Sequence, residues 1–226
     1  ATRLKLTRKD IFLALAAQVP NPNGSEILVK NPYKTWKDVN KTLPAIGIEV
    51  LGPPPTSGTR DAFAELALEG GCKSFPWIKA MKKKDKGAYK RLCHTVREDG
   101  PYIEAGENDN LIVQKLNANK NALGVFGFSF LDQNSDQVQA SIVDGQEPTF
   151  ETISDGSYPV SRPLYFYVKK AHVGVVPGIE EYLSEFTRER TWGDEGYLTE
   201  KGMIPLGTAK RAEVASDVKK LRNLEL

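Results

Sequence analysis

The chain is poor in the residues that most often carry metal and nucleophilic chemistry. Of its 226 residues only two are cysteine and two are histidine. Cys72 and Cys93 flank a lysine-rich excursion, at neither a metal-ligand nor a Cys-x-x-Cys spacing. Two readings stay open for them: a disulfide closing the excursion, which would fit an oxidising compartment, or two reduced, partly buried thiols. His94 and His172 have no carboxylate or cysteine at a ligand or catalytic spacing in the sequence. That argues against a zinc site and against a local Ser-His-Asp arrangement, and both read as surface or packed histidines. Long hydrophobic runs are missing too. None approaches the roughly 18–20 residues of a membrane span, and Ala1-Thr2-Arg3-Leu4-Lys5 does not read as the start of a secretory signal. Nor does one sign of charge dominate. With 31 basic and 29 acidic residues the formal net charge is +2, so bulk electrostatics point to no nucleic-acid or membrane partner. Any attraction for an anion has to be local.

What is present is ordinary for a globular protein: 40% apolar and 27% charged residues, with length for one large or two small domains. Leu4 and Leu6 suggest a short entering strand. Thr7-Arg8-Lys9-Asp10 places a hydroxyl cap three residues before an acid, ahead of Ile11, Phe12, Leu15 and Ala16 at helical spacing. From Pro20 to Thr42 the Asn, Pro, Gly and Lys content reads as a long ordered loop with Trp36 as its anchor. A strand through Ile46–Leu51 follows. Lys79–Arg91, with Lys82-Lys83-Lys84, reads as a solvated helical face rather than a binding patch, and Trp77 as a packing residue. Asp109 or Asn110 can cap a helix through Ile112, Val113 and Leu116 that stops near Asn119. Strands are expected at Ala122–Phe128, buried on both faces, at Val138–Val143 before an Asp144-Gly145 turn, and in the aromatic stretch Leu164–Val168. Amphipathic helices are expected over Gly178–Arg190 and through Val214, Val218 and Leu221. Alternating strands and helices predict an α/β layer structure.

The richest stretch is Gly52-Pro53-Pro54-Pro55-Thr56-Ser57-Gly58-Thr59-Arg60-Asp61, between an apolar run and the helical residues Ala62, Phe63, Leu66 and Leu68. It reads as a strand, a tight loop and a helix N-terminus. Such a junction offers unpaired N–H groups and the positive end of a helix dipole, here beside two hydroxyls, a glycine and an arginine. It is not a P-loop, because the Gly-x-x-x-x-Gly-Lys pattern is missing and three prolines remove donors. Capping alone accounts for much of the pattern: Ser57 or Thr59 would bond its own helix, Gly58 would make the turn, and Asp61 and Glu65 would complement the dipole. Arg60 is the misfit. A cation beside a helix N-terminus opposes the dipole, and an anion between them would offset that cost.

Thr56-Ser57-Gly58-Thr59-Arg60-Asp61-Ala62-Phe63, Arg97-Glu98-Asp99-Gly100, Asn108–Val113 and Ala122–Gly127 together resemble the phosphate-binding protein of bacterial high-affinity phosphate ABC transporters. Pro163–Val168 and Gly196-Tyr197-Leu198 fit the same family. The resemblance implies a periplasmic protein of the type II periplasmic-binding-protein-like fold, in which two α/β lobes close on orthophosphate and pass it to a membrane permease. It implies no enzyme chemistry, no metal and no cofactor. By the same resemblance Ser57, Gly58, Thr59 and Arg60 are phosphate ligands, with Thr56 and Asp61 as candidate support. Family positions that carry an arginine and an aspartate before the loop read Pro53 and Pro55 here, so those roles do not transfer.

The resemblance also divides the chain. Residues 1–157 correspond to the second lobe and 158–226 to a returning segment of the first, whose N-terminal part, with the signal peptide, is not in this chain. One lobe is then incomplete, Tyr165 and Tyr167 lie exposed, and a separate segment or chain is expected to complete it. Rival readings are a binder of another oxyanion such as sulfate, a non-transport phosphate-binding or adhesion protein, and a phosphate-ester hydrolase, for which Ser57 has no recognisable base.

Overall fold

The structure is a computed structural model that describes residues 3–224. Ala1 and Leu226, the outer bounds of the two expected lobes, lie outside the described residues. The chain separates into two compact units, Ala1–Pro148 with Tyr158–Ser161, and Thr149–Ser157 with Arg162–Leu226.

The first unit is α/β. Its entering strand β1 (Lys5–Leu6) pairs in parallel with β7 (Ile142–Val143), and the Asp144-Gly145 turn after β7 has positive φ at both residues. Helix α1 (Arg8–Leu15) starts at the expected capping box: Asp10 N donates to Thr7 Oγ1 at 3.0 Å and Thr7 N to Asp10 Oδ2 at 2.8 Å. Its residues from Asp10 to Leu15 are all buried, so the helix forms the middle of the core. The stretch expected as one long loop is more regular. Strands β2 (Gln18–Pro20) and β3 (Leu28–Lys30) make an antiparallel hairpin, and a second capping box, Thr35 with Asp38, starts the short helix α2 (Trp36–Val39). Trp36 is the anchor it was read to be, at 1% exposure.

Strands β4 (Val50–Gly52), β5 (Tyr102–Glu104) and β6 (Leu123–Gly124) form a parallel sheet in the order β5-β4-β6. The strand read over Ala122–Phe128 is therefore much shorter and only half-buried. It is an edge strand paired on one side, and Gly127 N bonds Asp109 Oδ2 at 3.2 Å, turning the chain into α8 (Phe128–Gln133). Gly124 is required by packing, since a Cβ there would lie 2.7 Å from Leu116 Cδ1 of α7 (Asp109–Ala118). Asn108 caps α7 rather than Asp109 or Asn110, and Asn119 ends it.

Helix α3 (Gly58–Phe63) runs on through a π turn (Ala64–Leu68) into α4 (Glu69–Cys72). Helices α5 (Pro76–Lys84) and α6 (Lys86–His94) carry the lysine-rich excursion, and Cys72 and Cys93 are joined in a disulfide across it. Beside the bridge Glu69, 4% exposed, collects four partners: Lys73 Nζ at 2.9 Å, Lys82 Nζ at 3.0 Å, Tyr89 Oη at 3.2 Å and His94 Nε2 at 2.6 Å. Burial raises the Glu69 carboxyl, but the bonds from His94, Lys73 and Lys82 outweigh it and hold the group at about 2. His94 is a packed histidine whose carboxylate lies 25 residues upstream, beyond any local spacing.

A second knot forms at Arg97, 3% exposed. Its Nε and Nη2 grip Asp99 at 2.6 and 2.8 Å while Nη1 reaches the carbonyls of Tyr33 and Ala14. Those Arg97 bonds, against a smaller cost of burial, hold the Asp99 carboxyl at about 2. The motif that carried part of the resemblance thus closes the first unit's core.

The second unit is helical, with no strand among its described residues: α9 (Phe150–Ser154), α10 (Ile179–Phe186), α11 (Glu189–Trp192) and α12 (Thr208–Lys219). Arg211, buried at 3%, pairs with Glu189 and Asp194 and bonds Leu206 O. Phe166 packs edge-on against Tyr182 and Phe186. The strand expected at Leu164–Val168 is absent. A strand needs a ladder partner, and the second unit supplies none among the described residues. Tyr165 and Tyr167, expected to be exposed, are 62% and 69% exposed, and Leu164 beside them is 85% exposed.

Candidate anion-binding site

Parallel strands end together, and in open α/β sheets ligands collect beyond their carboxyl ends. Here β4, β5 and β6 each lead through a short loop into a helix: residues 53–57 into α3, 105–108 into α7 and 125–127 into α8. Three helix N-termini thus open at one sheet edge, a concentration of positive dipole ends. Two hydrogen bonds tie the loops together. Thr56 Oγ1 donates to Glu107 Oε1 at 2.5 Å, joining the first to the second, and the Gly127–Asp109 bond joins the third. Burial raises the Asp109 carboxyl above its ordinary value, against the smaller opposing pull of Gly127 N–H.

The Ser-Gly-Thr loop starts α3 as read. Ser57 is its N-cap, with Thr59 N donating to Ser57 Oγ at 3.2 Å, and Ser57 N donates to Pro54 O at 3.0 Å. Capping is thus realised, but it uses only a lone pair of the hydroxyl. The Ser57 O–H remains a donor, so the cap and an oxyanion can share the same oxygen. Gly58 is exposed at the first helical position, and a Cβ added there would meet nothing within 4 Å. The fold itself has room for a side chain at Gly58; a ligand approaching the backbone would not.

Arg60 is half-buried rather than in solvent. Its Nη1 donates to Pro53 O at 3.1 Å and its guanidinium sits 4.2 Å over the Tyr102 ring. Tyr102 completes the bracket by donating from its own hydroxyl to Pro53 O at 2.8 Å. Gly52 leaves space for that ring, since a Cβ there would lie 2.1 Å from the Tyr102 hydroxyl oxygen. Burial raises the Tyr102 hydroxyl, with Arg60 pulling the other way. Pro53 therefore contributes a carbonyl that orients Arg60, although its ring removes a donor. Asp61 is exposed on the first turn, and the observed support of Arg60 comes instead from Pro53, just after β4, and from Tyr102 of β5. Tyr102, Glu107, Asp109 and Gly127 were missed by sequence reasoning because their partners lie 18 to 51 residues away; alternating strands and helices were the one signal that their loops would meet.

Among the described residues no three or more His, Cys, Asp or Glu side chains gather as a metal site, and no helix is long and apolar enough to cross a membrane. The Phosphate-binding protein PstS of Staphylococcus haemolyticus is 34% identical over 173 residues, 73% of this chain and 46% of that protein. A possible phosphate binding protein from Planctomyces limnophilus superposes with a TM-score of 0.61 at 23% identity, over 99% of this chain and 66% of its own. A Clostridium perfringens protein solved with bound phosphate gives 0.56 at 22% identity, over 90% and 64%. The chain spans about half the length of the curated relative and two thirds of the solved ones. The model of the PBP superfamily domain matches residues 1–190, and the chain belongs to that superfamily.

Proposed function

We propose that this chain supplies one wall of an inorganic phosphate site in a substrate-binding protein that serves an ABC transporter. Ser57 and Thr59 donate hydroxyl bonds, Gly58 lets the anion approach the backbone, and Arg60 gives the charge-assisted bond. The observation that carries this reading is Arg60 itself, held half-buried at a helix N-terminus by Pro53 O and the Tyr102 face, in a chain 34% identical to a phosphate-binding protein. An arginine in that position is costly beside a positive dipole end and useful beside an anion. Hydrogen bonds to charged groups contribute about 1.5–3 kcal/mol each, and micromolar binding needs about 8 kcal/mol, so this wall alone binds weakly.

The remaining ligands belong to a first-lobe segment outside this chain, and residues 1–157 and 158–226 are the parts of the two lobes present. Closure of the lobes on phosphate, in the periplasm or its equivalent outside the membrane, presents the surface a permease reads. The test is calorimetry on the protein with both lobes complete, titrating phosphate against sulfate. Phosphate should win, and Arg60→Ala should weaken it at least tenfold. Equal affinity for sulfate would support the rival oxyanion, and an unchanged phosphate affinity in Arg60→Ala would remove Arg60 from the site.

A further inference from the structure

The charge of this chain is small in total and uneven in place. Between Lys79 and Arg91 lie seven cations and one acid, a local charge of +6; the whole chain carries +2, so everything outside that stretch carries −4. The stretch is the exposed side of the α5–α6 hairpin. Lys79, Lys83, Lys84, Lys86, Lys90 and Arg91 are all exposed, and none of the six is in a salt bridge among the described residues. The single acid, Asp85, is turned to its own helix, accepting from Ala88 N at 2.8 Å.

The hairpin relieves this crowding only in part: Lys83, Lys84 and Arg91 fall in last helical turns, where the dipole favours cations, and no acid of the hairpin pairs with any of the six. Lys79 and Lys83 stand at i and i+4 on α5, and Lys86 and Lys90 stand likewise on α6, the spacing at which like charges destabilise a helix. The opposite face is fixed. Ile78, Tyr89, Leu92 and the Cys72–Cys93 bridge are buried, and Lys82, the seventh cation, is drawn down to Glu69 and the Tyr89 ring. The other six are thus presented to solvent on a pinned scaffold.

We propose that the α5–α6 hairpin docks this protein on the anionic phospholipid headgroups of a membrane surface. Six of the seven cations are lysines, mobile point charges suited to a diffuse layer of headgroup charge, where an acidic protein partner would favour the planar fork of arginine. A polybasic cluster of this size is what a negative bilayer attracts, and the −4 borne by the rest of the chain orients the hairpin toward it. The surface is separate from the Ser57–Arg60 loop, so it stands or falls independently of phosphate binding.

The test is co-sedimentation of this chain with vesicles of phosphatidylcholine containing a third phosphatidylglycerol, against vesicles of phosphatidylcholine alone. Binding is expected only to the anionic vesicles, and it should vanish at about 1 M salt, where the Debye length is about 3 Å. The combined variant Lys79→Gln, Lys83→Gln, Lys84→Gln, Lys90→Gln keeps good helix formers and spares Lys82, and should bind at least tenfold more weakly with unchanged far-UV circular dichroism. Equal sedimentation with both vesicle types, or a variant that binds as tightly as the parent, would overturn the proposal. So would binding to polyglutamate without binding to anionic vesicles, which would reassign the hairpin to an acidic protein.

Discussion

The two units take similar sequence patterns to opposite ends. In the first, the short runs Val50–Gly52 and Tyr102–Glu104 find parallel partners, and all of Val50–Gly52 and the Tyr102 ring are buried; in the second, the more apolar run Leu164–Val168 has no ladder and leaves Leu164, Tyr165 and Tyr167 in solvent. The difference lies in the neighbours, since β propensity expresses packing on a paired, half-buried surface. The first unit also ties distant segments together with long-range polar knots at Glu69 and Arg97. Among the described residues of the second, Arg211 makes the long-range knot, with Glu189 and Asp194.

Breaking the knots should separate the units most clearly. Arg97→Ala removes the buried partner of Asp99 and three carbonyl contacts, and should cost about 3–5 kcal/mol in the first unit, read as a lowered urea midpoint for tryptophan fluorescence from Trp36. Replacing Cys72 and Cys93 together by alanine opens a bridge with a sequence separation of 21, and should cost about 3 kcal/mol by the same measurement. Neither change should move a probe of the second unit such as Trp192.

Acid sharpens the same contrast. Glu69 and Asp99 fall from ordinary values of 4.5 and 3.8 to about 2 in the folded first unit. Their folded values lie below the unfolded ones, so the stability they add is fully present above about pH 4.5 and is lost as pH falls toward 2. Glu69→Gln should flatten that slope in acid titrations of the urea midpoint. The smallest effect is expected at the exposed run: Tyr165→Ser with Tyr167→Ser should change the stability of this chain by no more than about 0.5 kcal/mol. A larger loss would mean that the run is buried after all.

What the sequence revealed was local. The Thr7–Asp10 box, the Trp36 anchor, the Asp144-Gly145 turn and Ser57 as a helix start all depend on residues within a few positions of each other. What it concealed was set by partners far along the chain. The β2–β3 hairpin hid in an Asn- and Pro-rich stretch because its ladder is only three residues long. The strand at Ala122 was overread because nothing local says that Gly127 will be caught by Asp109. At the site, the loop was legible but not its frame: Arg60 stood out as a cation misplaced at a helix start, and its seat between Pro53 O and Tyr102 depends on β5 lying beside β4.

The claim that Ser57 to Arg60 form an anion wall is tested most directly by titrating phosphate into isotopically labelled chain and following the backbone amides by NMR, which detects millimolar binding. Saturable shifts should centre on Gly58, Thr59 and Arg60. They should be smaller with sulfate, and should be lost in Gly58→Ala, which the fold has room to accept. Shifts that centre elsewhere, or a Gly58→Ala chain that responds as the parent does, would contradict it.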